Sequence, residues 1–261
     1  ERQSYIFKQK LVLKIKKILL VGSGNVATHL GINLKRNNYI IKQVFSRSIE
    51  NAKDLAKKVD ADYTNKPKNI VASDLTIIAV SDDSIKDIID FLPDVPTVHT
   101  SGNTNINILK NSFTSYGVIY PLQSFKKNIE LNFTNIPFLI EANTKEFENN
   151  LIEFCSCLSA NTIRVNSSER KKIHLAAVYA CNFSNHMQVI AKEIMDDAKI
   201  NYELLIPLIK KTFSNLELDP KMKQTGPAIR KDFNILDNHI DLVQKKEHKE
   251  NLQKKEEKEV K

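Results

Sequence analysis

Glycine is scarce in this chain, with six in 261 residues, so each one inside a recognisable pattern carries weight. Cysteine is scarcer. Cys155, Cys157 and Cys181 make an odd count with no C-x-x-C spacing, which argues against a zinc site and leaves no metal-ligand set to propose. Set among apolar neighbours, the three thiols are expected to be free and buried. No apolar run approaches the roughly 20 residues that cross a bilayer, so no membrane association is expected. The opening segment Glu1 to Lys17 scatters lysines among its apolar residues and offers no small-residue cleavage site, so it does not read as a secretory signal. The cytoplasm is the expected location, and because residue 1 is Glu the true start is left open.

What the chain does have in excess is positive charge, 39 Lys and Arg against 31 Asp and Glu for a net +8. Lys, Asn and Ile are abundant along its whole length, which reads as compositional bias and not as one basic face, so nucleic acid is not an expected partner. A hydrophobic fraction of 41% with 27% charged residues is that of a soluble globular protein long enough for two domains. The sequence has no evident internal repeat.

Between Lys17 and Glu141 short β-branched runs alternate with helical periodicity, the pattern of a mostly parallel sheet wrapped by helices. Strands are expected at Ile18 to Val21, Ile40 to Ser46, Leu75 to Val80, Thr97 to His99, Gly117 to Tyr120 and Phe138 to Glu141, with one more at Thr162 to Val165. Thr144 to Leu158 has the spacing of an amphipathic helix, and from Glu169 onward the periodicity is helical almost to the end. The expected fold class is therefore α/β, a Rossmann-type mostly parallel sheet followed by an all-helical C-terminal domain. Its parts are an N-terminal extension (1–16), a dinucleotide-binding domain (17–165), a helical domain (166–243) and a charged tail (244–261).

The run Gly22-Ser23-Gly24-Asn25-Val26-Ala27 follows the first strand and opens a helix in which Val26, Leu30 and Leu34 recur every fourth residue. A G-x-G-x-x-A match alone is weak, but here it has both the strand before it and the helix after it. Gly22 permits the tight turn, Gly24 lets the backbone approach a pyrophosphate, and Ala27 keeps the helix close to the sheet. At the end of the second strand, where an NAD-selective site carries Asp or Glu, the chain reads Ser46-Arg47-Ser48. A guanidinium between two hydroxyls suits a 2′-phosphate, so NADP(H) is the expected cofactor. Arg47 as a plain solvated loop residue is the competing account.

Ligands of open α/β sheets sit beyond the carboxyl ends of the strands, which brings three further segments into view. Val80 and Ser81 could line the nicotinamide ribose, while Asp82 and Asp83 read as helix caps. His99 and Ser101 could bind or relay a proton to a substrate, and the segment Tyr120 to Ser124, which includes Gln123, could close the same cleft or merely form a turn fixed by Pro121. Glu169 to Lys199 reads as one long helix capped by Ser167 or Ser168, with a middle apolar enough to be buried. On it His174, Cys181, Asn182 and Asn185 fall in one stripe. Farther on, Thr225-Gly226-Pro227 leads into a helix near whose start Arg230 could meet an anionic group.

The series GSGNVA, FSRS, AVSDDS, VHTSGN, YPLQSF, KIHLAAVYACNFSNHM and TGPAIRKD resembles the two-domain Rossmann-like proteins whose helical half is known only as a domain of unknown function, the DUF2520 type. These are distant relatives of pyrroline-5-carboxylate reductase and of the 6-phosphogluconate dehydrogenase superfamily. The resemblance spans roughly Lys17 to Leu242 and implies an NADP-binding first domain, a helical domain that commonly forms a homodimer, and an active site between them. It implies no substrate. Where the hydroxyacid dehydrogenase branch has a catalytic Lys and an Asn four residues on, this chain has His174 and Val178, so the Lys mechanism is not carried over. His174 becomes the acid/base candidate, with Asn182 and Ser101 positioning and His99, Gln123, Asn185 and Arg230 as substrate contacts. Two functions remain open: an oxidoreductase that moves hydride to or from a small carbonyl, imine or alcohol, and a non-catalytic NADP(H) sensor or scaffold.

Overall fold

The computed structural model describes residues 15–214, 230–235 and 237–242, which fall in two compact units meeting between Met187 and Gln188. Three segments of the expected layout, 1–14, 225–229 and 244–261, lie outside the described residues.

In the first unit strands and helices alternate: β1 (Lys17–Val21), α1 (Asn25–Arg36), β2 (Ile40–Phe45), α2 (Ile49–Val59), β3 (Asp62–Thr64), β4 (Leu75–Ile78), α3 (Asp82–Ile89), β5 (Thr97–His99), β6 (Tyr116–Pro121), β7 (Phe138–Ala142), α4 (Lys145–Ser156), β8 (Thr162–Arg164) and α5 (Ser167–Ala177). The strands form one sheet in the order β3-β2-β1-β4-β5-β6-β7-β8. All neighbours are parallel except β6 and β7. The first six strands have the doubly wound order, and the chain reverses direction across the sheet between β1 and β4, where such folds open a ligand crevice. This is the expected Rossmann-type sheet followed by helices, and β3 is a strand the sequence did not announce.

The continuous apolar runs have a direct explanation in this sheet. Side chains of a strand point alternately to its two faces, and each face here carries a core. Ile18 and Leu20 of β1 pack with Leu30 and Leu34 of α1, Leu55 of α2 and Leu151 of α4. Leu19 and Val21 pack on the other side with Ile85, Ile88 and Ile89 of α3. A strand covered on both sides has no polar face to show.

A charged cluster fastens α5 to the sheet. Arg170 is fully buried and pairs with Glu141 of β7, while its other terminal nitrogen donates to the Thr104 carbonyl at 2.5 Å. The Ser167 hydroxyl donates to Glu141 at 2.9 Å and accepts the Ile106 amide at 3.1 Å. Helix, strand and the segment after β5 are thus held by one set of charge-assisted bonds.

Four details depart from expectation. The N-cap of α5 is Asn166, not Ser167 or Ser168, in a capping box with Glu169; the amide side chain reaches the third-residue N–H, which leaves Ser167 for Glu141. The helix does not continue regularly to Lys199: a π-helical stretch, Val178–Phe183, separates α5 from α6 (Ser184–Asp197). Its middle is not buried, since Leu175, Tyr179, Phe183 and Met187 are 56%, 63%, 47% and 53% exposed. Apolar content marks a face that wants cover without saying what covers it. Of the cysteines only Cys155 is buried, on the inner face of α4 beside Leu151 and Phe154. Cys157, two residues and more than half a turn on, is exposed, as is Cys181 in the π-helical stretch.

The second unit is helical, with the end of α6, then α7 (Ile206–Phe213), and helical residues at 233–235 and 237–242. None of its described residues is buried. Among the described residues no helix is long and apolar enough to cross a membrane.

Replacing Arg170 with Ala leaves Glu141 desolvated without its partner, a change that typically costs about 3–5 kcal/mol. Urea denaturation of Arg170→Ala should show a loss of that size at an unchanged denaturant slope, and a loss below about 1 kcal/mol would contradict the role assigned to the pair.

Candidate functional site

The turn after β1 is built around one close approach. Gly22 has φ +116°, and a Cβ there would stand 2.2 Å from the Ala79 carbonyl oxygen, so only glycine lets the exit of β1 pass the end of β4. Its amide donates to the Phe45 carbonyl at 2.8 Å, which ties the turn to β2 as well. Gly24 then caps α1 without a side-chain bond, and the first turn of the helix holds no acidic residue. Its amides and the positive end of the helix dipole are left for an anion. A Cβ on Gly24 would meet nothing within 4 Å, because the space above it belongs to a cleft.

That cleft, about 430 Å³, lies over the carboxyl ends of β1, β2, β4 and β5 and is lined by residues 22–26, 45–47, 79–82 and 100–102 with Ile88. It gathers Gly22, Ser23, Gly24, Asn25, Val26, Ser46, Arg47, Val80, Ser81 and Ser101 of the expected site. Ala27 is buried beneath it in the first turn of α1. Ser23 and Ser46 share a hydrogen bond at 2.7 Å, joining the glycine turn to the end of β2 just before the exposed Arg47. Ser48 stands outside the lining and caps α2, accepting the Asn51 amide at 3.2 Å. It also donates to Glu50 at 2.8 Å, and the carboxyl of Glu50 is held below its ordinary range by its own backbone amide and by that hydroxyl.

At the other end of the cleft Ser81 caps α3 and shares a hydrogen bond with Ser84 at 2.8 Å. Asp82 is not the cap but the first helical residue, and it accepts the Ser101 hydroxyl at 2.7 Å. The same hydroxyl accepts the amides of Asn103 and Thr104 at 3.1 and 2.8 Å. Ser101 therefore borders the cleft with its proton already committed to Asp82, which shapes the loop and leaves it no free proton to deliver.

Beyond Gly102, the last residue of the lining, two rings meet. The Tyr120 hydroxyl of β6 and Nδ1 of His174 on α5 are 3.0 Å apart, with ring centroids at 5.7 Å and planes at 75°. A Cβ on Gly102 would stand 2.6 Å from that nitrogen and 2.8 Å from Cζ of the tyrosine, so both rings rest on the bare glycine. Burial, and then the charge of Asp82, push the phenol of Tyr120 above its ordinary value. The segment from Tyr120 to Ser124 was expected to close the cleft or to form a turn at Pro121, and Tyr120 was not singled out within it.

Other candidates are not brought to the cleft. His99 is fully buried, and its Nδ1 accepts the Ser101 amide at 3.1 Å. Burial, and then Arg170, push its pKa down to about 3, so it is a neutral structural imidazole and not a substrate contact. Gln123 is exposed and its amide oxygen takes the Ser124 N–H at 2.8 Å. Asn182 and Asn185 are exposed and outside the lining; the π-helical stretch alters the angular step per residue, so the stripe counted at 100° does not persist past Val178. Arg230 lies in the second unit, paired with Asp232 at 2.9 Å.

Residues 136–256 match the family model of a domain of unknown function, DUF2520. A Bacteroides fragilis protein provisionally named an NADP oxidoreductase is 37% identical, with 88% of this chain and 92% of that one covered at a TM-score of 0.81. The chain belongs to the DUF2520 Rossmann-like family. A Thermotoga maritima protein of similar span is 25% identical, covering 87% of this chain and 90% of its own at a TM-score of 0.66. A reductive aminase from Aspergillus terreus, solved with NADPH, shares the fold at 14% identity and a TM-score of 0.60, over 78% of this chain and 75% of that one. No curated protein is detectably similar in sequence. Membership in the family matches the resemblance carried by the motifs.

Because His99 is held neutral when folded, its contribution to stability is full above its unfolded pKa of about 6.5 and is lost as pH falls toward 3. Urea midpoints taken between pH 7 and 4 should fall less steeply for His99→Gln than for the unaltered chain. Parallel curves would mean that the imidazole does not remain neutral in the fold.

Proposed function

We propose that this protein is an NADP(H)-dependent oxidoreductase acting on a small carbonyl, imine or alcohol. The observation that carries the reading is the pairing, within one cleft, of an uncapped helix start at Gly24 with the Ser23–Ser46 hydroxyl pair and Arg47 at the end of β2. The open space over Gly24 fits a pyrophosphate, which the free amides of α1 would hold. Arg47 and Ser46 would take a 2′-phosphate through charge-assisted bonds, and no Asp or Glu among the residues lining that end competes for the site. The name of the Bacteroides fragilis relative points the same way.

When bound, the cofactor supplies hydride chemistry at its nicotinamide ring. The chain's own part is to hold the ring toward Gly102 and to exchange the accompanying proton. His174, resting on Gly102 and bonded to Tyr120, is the acid/base group in this reading. A sensor without turnover would sit more naturally with an apolar plug at this end, whereas Ser101, Asp82, Tyr120 and His174 make it polar.

The protein acts as a homodimer in the same reading. Leu175, Tyr179, Phe183 and Met187, on α5, the π-helical stretch and the start of α6, are all exposed, apolar surface of the kind that subunit interfaces cover. Phe183→Asp should convert a dimer into a monomer by sedimentation, and an unaltered chain that sediments as a monomer would remove the dimer from the account.

The cofactor assignment is tested by fluorescence titration with NADPH and NADH. NADPH should bind tighter, and Arg47→Ala should weaken it by about 10- to 100-fold while leaving NADH within about two-fold, the worth of hydrogen bonds to a charged group. Gly24→Val should abolish both without lowering the melting temperature. Tighter binding of NADH by the unaltered chain would overturn the NADP(H) reading.

A further inference from the structure

We propose that Tyr120 is the immediate proton donor to the substrate, with His174 behind it as the group that restores the phenol. The proposal rests on the NADP(H) reading of the cleft and adds to it the order in which two side chains act. Three observations lead there. The Tyr120 hydroxyl lies 3.0 Å from His174 Nδ1, so one ring nitrogen of the imidazole faces the phenol. Both rings sit against the glycine that closes the lining, so the pair is at the cleft's edge. The Ser101 hydroxyl, beside Gly102 on the lining, has its hydrogen committed to Asp82.

Electrostatics fits the assigned direction. The titratable groups found around the phenol are His174 on α5 and Asp82 on α3. Asp82 and partial burial favour the neutral phenol, which therefore holds its proton at neutral pH and serves as donor, not as base. Asp82 itself has one oxygen occupied by Ser101 and acts on the pair through its charge.

In the reducing direction the substrate carbon receives hydride and the electron pair of the C=O or C=N bond moves onto the heteroatom. That atom takes the Tyr120 hydroxyl proton, breaking O–H and forming the new O–H or N–H. The phenolate then takes a proton from Nδ1 of His174, whose ring, half-buried at the surface of α5, takes a replacement from water. Oxidation runs the same transfers in reverse.

The test reads the phenol and not turnover. NADP⁺ and NADPH present the same phosphates and differ by one positive charge on the nicotinamide ring, so a phenol beside that ring should titrate at different pH in the two complexes. The full chain has seven tyrosines, so near-ultraviolet phenolate absorbance is taken as the unaltered chain minus Tyr120→Phe, with each cofactor at saturation. A unit charge several ångströms away should lower the Tyr120 titration by roughly one to two pH units with NADP⁺ relative to NADPH. Coincident titrations in two complexes that both form would overturn the donor assignment while leaving the cofactor reading intact. Failure of both cofactors to bind in the fluorescence titration would overturn the cofactor reading and this proposal with it. Should Tyr120→Phe not fold, fluorotyrosine at position 120 read by fluorine NMR gives the same titration with the hydroxyl retained.

Discussion

The buried pair of Arg170 and Glu141 is the contact on which the Gly102 end of the cleft depends. One side of the cleft is made by the sheet itself, whose strand ends need only the sheet's register. Beyond the lining, against Gly102, stands His174 of α5, a helix that shares no ladder with the sheet and is held to it by Arg170, Ser167 and their bonds to Glu141, Thr104 and Ile106. His174 is one helical turn beyond Arg170, so anchoring the first turn of α5 also fixes the imidazole against Tyr120 and Gly102. The same guanidinium disfavours a proton on His99, which keeps the floor under Ser101 neutral. A buried ion pair is a poor source of net stability compared with apolar packing; here its geometry defines where a helix sits.

Much of the sheet was legible because strands covered on both faces must be apolar throughout. β1 and β4 appear as short, nearly continuous β-branched and apolar runs, and the glycine turn stands between a strand and a helix as its chemistry requires. β3 was not legible: Asp62, Tyr63 and Thr64 have no apolar alternation, and as an edge strand only Thr64 is buried. The capping box at Asn166 and Glu169 did have a signature, an Asn three residues before a Glu, which the adjacent serines masked.

The candidate site divides the same way. The place of the glycine turn and of the end of β2 in the cleft was readable because it follows from sequence-local geometry. His99 was misread, since a polar residue at a strand end is drawn equally to a cleft or to the interior, and its neutral imidazole could be buried against Arg170 and the Ser101 amide. Tyr120 and His174 lie 54 residues apart, and nothing in either segment points at the other. Asn182 and Asn185 were assigned to a face by counting at 100° per residue, and the π-helical stretch breaks that count.

The central claim is that one cleft orients a dinucleotide from Arg47 at one end to the Tyr120–His174 pair at the other. A crystal structure of the complex with NADP⁺ tests it most directly. The account predicts the 2′-phosphate against Arg47 and Ser46, the pyrophosphate over Gly24, and the nicotinamide beside Gly102 with the Tyr120 hydroxyl on its side of the cleft. A nicotinamide turned away from Gly102, or an adenosine end remote from Arg47, would contradict it.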